Sequence, residues 1–230
     1  MEFSSFNARI KILRFGNNYI RTQGSDSMFE PVAKNIFRWG TIDGETGVMM
    51  YSHLLLKDGK AVLIDPLAMP GLNRMIQILG KPEAVVMTVY PHLRGCSLIS
   101  RQLNIPLFIP DIKVVEEDET VTRMFIDLYD MKHGQQYNES TELPLGIRAH
   151  NIAGRHEMAL KFDDYLIVGD SAYGINGQLN FYPSGIWPDD SSSKARATSD
   201  ALIPLIRKTG AKGLLSGHME DIPSGLQEMV

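Results

Sequence analysis

Between Gly47 and Pro110 the apolar pattern changes period repeatedly, and this restricts the chain to folds that mix strands with helices. Gly47–Leu56 and Lys60–Asp65 are extended apolar runs joined through Lys57-Asp58-Gly59-Lys60. Asp-Gly between two such runs predicts a hairpin, because glycine accepts the positive φ that the turn requires. Pro70-Gly71 then opens Leu72–Leu79, where Leu72, Met75, Ile76 and Leu79 share one helical face and Gly80 is the stop. Ala84–Thr88 reads as a short buried strand, Ser97–Leu103 as a helix and Pro106–Pro110 as a further strand. Strand, helix and strand in succession imply crossover connections and parallel pairing.

Flanking segments extend the pattern. Ala8–Phe15 alternates in polarity, and Asn17-Asn18 marks a turn before Tyr19–Thr22. Val121–Met131 predicts a helix, and Gly146–Ile152, Met158–Phe162 and Tyr165–Val168 predict strands. Ser199–Thr209 is expected to be a helix kinked near Pro204, and Gly213–Ser216 is the last expected strand. Tyr173–Ser193, with several glycines, prolines and a serine triplet, reads as one long loop, of a length that is usually functional or mobile. Without an internal repeat or linker, the expectation is a single α/β domain over residues 1–230.

The formal net charge of −4 and the lack of a Lys/Arg run give no reason to expect nucleic acid or an anionic membrane as partner. The acidic run Glu116-Glu117-Asp118-Glu119 suits a solvated loop or the first turn of a helix. Cys96 is the only cysteine, which excludes an internal disulfide and a cysteine-rich metal site; it reads as a buried small hydrophobe. Met1–Ser5 lacks a basic region followed by an apolar stretch, and no apolar segment approaches the ~20 residues of a membrane helix. A cytoplasmic protein is expected, with a small molecule as partner and homo-oligomerisation left open.

Four segments stand in an order that resembles the metallo-β-lactamase fold: KDGKAVLIDP (57–66), VVMTVYPHLRGCSLISRQLNIPLFIP (85–110), YLIVGD (165–170) and LLSGH (214–218). They are similar to that family's Ile-Asp hairpin, its T-H-x-H-x-D-H loop with the following helix and strand, its Gly-Asp strand and its last ligand histidine. The resemblance implies an αββα four-layer sandwich with mixed sheets. It also implies a damaged zinc pair. Aligned on Thr88, the motif positions fall on Val89, Pro91, Leu93 and Arg94, and the histidine ahead of the Gly-Asp strand falls on Ala153. Asp170 and His218 alone match, two of seven ligand positions. Thr88–Arg94 is closer to the T-N-x-D-H-x-R variant of degenerate members, although Val89 and Pro91 depart even from that.

The cleft candidates are therefore His92, Arg94, Asp170 and His218. One reading has Arg94 paired with Asp170, its permanent charge replacing metal in a ligand-binding descendant of the fold. Another has His92, Asp170 and His218 holding one Zn, Fe or Mn ion for hydrolysis of an ester, thioester or phosphoester, with His150 and His156 as stand-ins. A third gives the 173–193 loop a role in protein assembly. The missing ligands favour the first. Asp65 is expected to fix its turn, and Tyr173, Tyr182 and Trp187 to line a pocket.

Overall fold

The computed structural model describes residues 20–21, 28–44, 47–113, 119–184 and 192–230. The expected strand Ala8–Phe15, the residues Glu116-Glu117-Asp118 and Trp187 lie outside them. An eight-stranded sheet runs in chain order: β1 (Ile20–Arg21), β2 (Met28–Ala33), β3 (Ile36–Ile42), β4 (Met49–Lys57), β5 (Lys60–Ile64), β6 (Lys81–Val86), β7 (Leu107–Pro110) and β8 (Gln135–Tyr137). Pairing is antiparallel through β5 and parallel from β5 to β8. At the β4–β5 turn Asp58 and Gly59 both have positive φ, as a tight hairpin requires. Helix α1 (Leu72–Leu79) crosses from β5 to β6, and α2 (Cys96–Leu103) from β6 to β7. Helix α3 (Glu119–Leu128) precedes β8.

The second sheet has four strands, β9 (Arg148–Asn151), β10 (Met158–Phe162), β11 (Tyr165–Val168) and β14 (Gly213–Ser216), in the order β14-β11-β10-β9. Its residues alternate between two cores. Met158, Leu160, Phe162, Ile167 and Leu215 join the core shared with the first sheet. Ala159, Leu166, Val168 and Leu214 face the other way, onto Leu202, Leu205 and Ile206 of α4 (Ser192–Thr209). Period-two alternation thus places one face on the sister sheet and one on a helix. On the first sheet, β5 is buried along Ala61–Ile64, in the same core as Leu72 and Ile76 of α1 and Ile99 of α2. The result is the expected αββα sandwich.

Three expectations need correction. The segment Tyr173–Ser193 is not one loop: its described part holds the hairpin β12 (Ala172–Ile175) and β13 (Gln178–Phe181), and α4 begins at Ser192 rather than Ser199. Tyr173 does not line a pocket; it is fully buried and its hydroxyl donates to the Ser184 carbonyl. Strands β2 and β3 fit a first third that reads as β, although the pattern did not mark their positions.

A buried clamp ties these early strands to the end of the chain. Asp221 accepts from Arg38 Nη1 at 3.0 Å, His53 Nε2 at 3.1 Å and the Ser216 N–H at 2.8 Å. Arg38 also pairs with Glu30 at 2.6 Å and lies over the Tyr51 ring. Burial alone would raise the Asp221 carboxyl, but His53, Arg38 and the Ser216 amide more than reverse this and hold it low. A depressed carboxyl contributes stability above its unfolded pKa, and this contribution is lost as pH falls through the folded value. Asp221→Asn is therefore expected to lower stability at neutral pH by about 3–5 kcal/mol. It should also flatten the acid limb of a urea-unfolding series below about pH 4. An unchanged acid limb would count against the clamp.

Candidate metal centre

Both parallel pairs, β5–β6 and β11–β14, end at the same edge of the sandwich. Open α/β sheets place ligands outside such carboxyl ends. Asp65 follows β5, Thr88–Arg94 follows β6, Asp170 follows β11 and His218 follows β14.

His92, Asp170 and His218 converge there. His92 Nε2 and His218 Nε2 are 3.1 Å apart, and Asp170 Oδ1 is 3.0 Å from each. The hydrogen-bond network assigns both ring tautomers. His92 Nδ1 faces Asp65 Oδ2 at 2.9 Å and His218 Nδ1 faces the Met49 carbonyl at 3.1 Å, and both partners can only accept. In the neutral rings each Nε2 lone pair then points into the triangle. Asp170 Oδ1 is close to both nitrogens but aligned with neither for a hydrogen bond. Three acceptors within 3.1 Å repel one another unless positive charge sits among them, and the Arg94 guanidinium, 3.1 Å from His92 Nε2, supplies part of it. Donor identity and convergence fit one divalent ion of the Zn or Fe type. Burial alone would raise the Asp170 carboxyl, but positive charge on the side that His92 and His218 occupy more than reverses this and holds it well below the usual range. Its side chain is 17% exposed, against 4% for His92 and 9% for His218, whereas the Oδ1 atom in the triangle is itself buried.

Each donor has a seat. Asp65 does more than fix its turn: its carboxylate also accepts the Thr88 N–H at 2.7 Å and the Thr88 hydroxyl at 2.5 Å, so it locks the loop and the ring of His92 together. Carboxylate–histidine pairs of this kind orient metal ligands. Glu157, fully buried, accepts the N–H groups of Gly169 (2.6 Å), Asp170 (3.1 Å) and Ser171 (3.0 Å), and the Ser171 hydroxyl (2.7 Å). Burial and the nearby Asp170 push its carboxyl up, and the Ser171 hydroxyl, the Arg155 charge and the Asp170 amide oppose this without cancelling it. His218 sits in a turn whose Gly217 carbonyl accepts the Tyr51 N–H, which ties it to β4. Gly217 has no room for a side chain, since a Cβ there would lie 2.5 Å from His92 Cε1.

The expected Arg94–Asp170 ion pair does not form. The Arg94 guanidinium donates to the carbonyls of Tyr51, Asp65 and Gly217, and its Nη2 reaches His92 Nε2 at 3.1 Å. These acceptors lie on the inner side of the loop, and Arg94 reaches them from a left-handed backbone conformation (φ 37°). Such a conformation in a non-glycine residue persists only where surrounding contacts impose it. His150 is not a stand-in ligand: its ring faces Glu139, at 3.9 Å. His156 is exposed, and the structure does not bring it into the cluster. Cys96 is buried, and burial holds its thiol well above the ordinary range, as a packing residue requires. Glu157 and Asp65 are the site residues whose roles the sequence did not disclose. The available signal for Glu157 was a lone acidic residue at the head of the apolar run Met158–Leu160.

Sandwich topology and the His/Asp/His edge together define a metallo-β-lactamase fold. Solved structures agree: the DIM-1 metallo-β-lactamase exposed to ceftazidime has a TM-score of 0.63 at 16% identity, over 87% of this chain and 94% of that one. A metallo-β-lactamase from Erythrobacter litoralis with β-mercaptoethanol in its active site gives 0.63 at 12%, over 92% and 96%. TMB-1 gives 0.64 at 12%, over 89% and 94%. No family model and no curated protein matches the chain. Among the described residues no helix is long and apolar enough to cross a membrane.

Proposed function

We propose that the protein is a hydrolase of esters, thioesters or phosphoesters that uses one divalent metal held by His92, Asp170 and His218. The observation that carries this reading is the triangle of two imidazole nitrogens and one carboxylate oxygen, 3.0–3.1 Å on each side. A bound ion of this type supplies Lewis-acid polarisation of a carbonyl or phosphoryl oxygen and lowers the pKa of water. Asp65 keeps His92 in the Nδ1–H tautomer, with its Nε2 lone pair available. Arg94 keeps its three carbonyl acceptors when it gives up the His92 lone pair, and so leaves a fixed positive charge beside developing negative charge. Asp170, the most exposed of the three, faces the side from which a substrate approaches.

A second reading rests on the Arg94–His92 contact: the guanidinium satisfies His92 permanently, and the cleft binds a small ligand without metal. Elemental analysis of protein purified without added metal, combined with ester hydrolysis assays, separates the two. The first predicts about one equivalent of Zn, Fe or Mn and turnover that chelation removes. Metal content near zero that Zn or Mn titration cannot raise would favour the second.

A further inference from the structure

Arg155 sits in the turn that leads into β10. Its Nε lies 3.4 Å from Ser171 Oγ, and Ser171 directly follows Asp170 in the chain. The Ser171 hydroxyl spends its proton on Glu157, which leaves its oxygen to accept from Arg155. The Arg155 guanidinium carbon stands 4.4 Å from the centroid of the Tyr182 ring, and the Tyr182 N–H bonds back to the Ser171 carbonyl. The cation is thus fixed on two sides, by a stacked ring and by a hydroxyl that Glu157 orients. Its two Nη groups have no protein partner among the described residues. The same turn is tied to the loop that carries His92: Glu157 bridges to Val89, and the Met158 N–H donates to the Thr88 carbonyl.

An arginine held through Nε and its face, with the Nη pair open, matches the bidentate geometry of a carboxylate or phosphate. Stacking on an aromatic ring keeps the fork in place, so less side-chain freedom is lost when an anion docks. We infer that Arg155 is the substrate-recognition residue of this site and that the preferred substrates carry a carboxylate or phosphate group next to the scissile bond. This rests on the hydrolase reading for the word substrate, whereas the anion-binding role does not depend on it.

The test is calorimetric titration of the full-length protein, as purified, with inorganic phosphate and separately with succinate. Wild type should bind at least one of the two saturably, and Arg155→Gln should weaken that binding by about tenfold or more, the effect of losing a charge-assisted bidentate pair. Arg155→Lys should recover only part of it, and Tyr182→Leu should weaken it less than Arg155→Gln does. The anion that responds distinguishes phosphorylated from carboxylated substrates. Equal binding by wild type and a folded Arg155→Gln variant, or no binding of either anion to wild type, overturns the inference. Loss of binding in Arg155→Gln without any metal-dependent hydrolysis sustains the anion site and overturns only the hydrolase reading.

Discussion

Asp170→Ala is expected to abolish metal retention and metal-dependent hydrolysis together. Asp170 Oδ1 is one of the three converging atoms, and its side chain is the most exposed of the three. Removing it leaves two histidine nitrogens, fewer than the three or four donors that a stable zinc site needs. Loss of a residue that only orients a ligand typically costs 10–100-fold in metal affinity, so loss of a ligand should exceed about 100-fold. His92→Ala and His218→Ala should do the same, because neither His150 nor His156 is placed to substitute. A plain folding defect would also lower activity, so the variant is to be read by metal titration alongside far-UV circular dichroism. A folded Asp170→Ala protein that retains one equivalent of metal at wild-type affinity would refute the site. The variant also removes the charge that pushes Glu157 up, so the metal-free fold should tolerate the change.

Glu157→Ala should cause the largest loss of stability among the residues around the centre. Its carboxylate satisfies three backbone N–H groups and one hydroxyl at the end of β11, and alanine orphans all of them. Buried unsatisfied donors cost about 1–3 kcal/mol each, so a total of at least about 3 kcal/mol follows even if water satisfies some of them. For a chain of this length that lowers the melting temperature by roughly 6–12 °C. Glu157→Gln keeps one oxygen but turns an NH₂ group toward donors, and it should fall between alanine and wild type. Differential scanning calorimetry of both variants in the presence of chelator isolates the structural effect from metal loss. A drop of less than about 1 kcal/mol for alanine would show that the 169–171 turn holds itself.

The parts of the fold that were legible in the sequence are those with strong local signals. Asp58-Gly59 fixed its hairpin and Leu72–Leu79 its helix to the residue, because turn chemistry and an apolar face act within a few positions. Strand β3 escaped because Ile36 and Trp39 are buried at a spacing of three, so period-two alternation does not show. The β12–β13 hairpin carried a readable sign, Asn176-Gly177, both with positive φ, inside a stretch whose prolines and serines suggested a loop. His92, Asp170 and His218 were legible as a set only through the family resemblance of their segments, and as the less favoured of the readings. Their seats were not. Glu157 acts on backbone amides twelve to fourteen residues away, and Arg94 on three carbonyls from distant strands, contacts that depend on the closed sandwich.

The clamp at Asp221 has a kinetic consequence. Arg38 and Asp221 are 183 residues apart in sequence, and His218 meets His92 across 126. Contacts of such separation form only after most of the loop-closure entropy has been expended. The three donors are therefore expected to come together late in folding, when β14 docks beside β11 and its turn is drawn against β3 and β4. A nascent chain exposes His92 and Asp170 long before it can present a complete coordination set, so an ion arriving early finds no tight site to bias the search. On the hydrolase reading, metal uptake would report that β14 is in place.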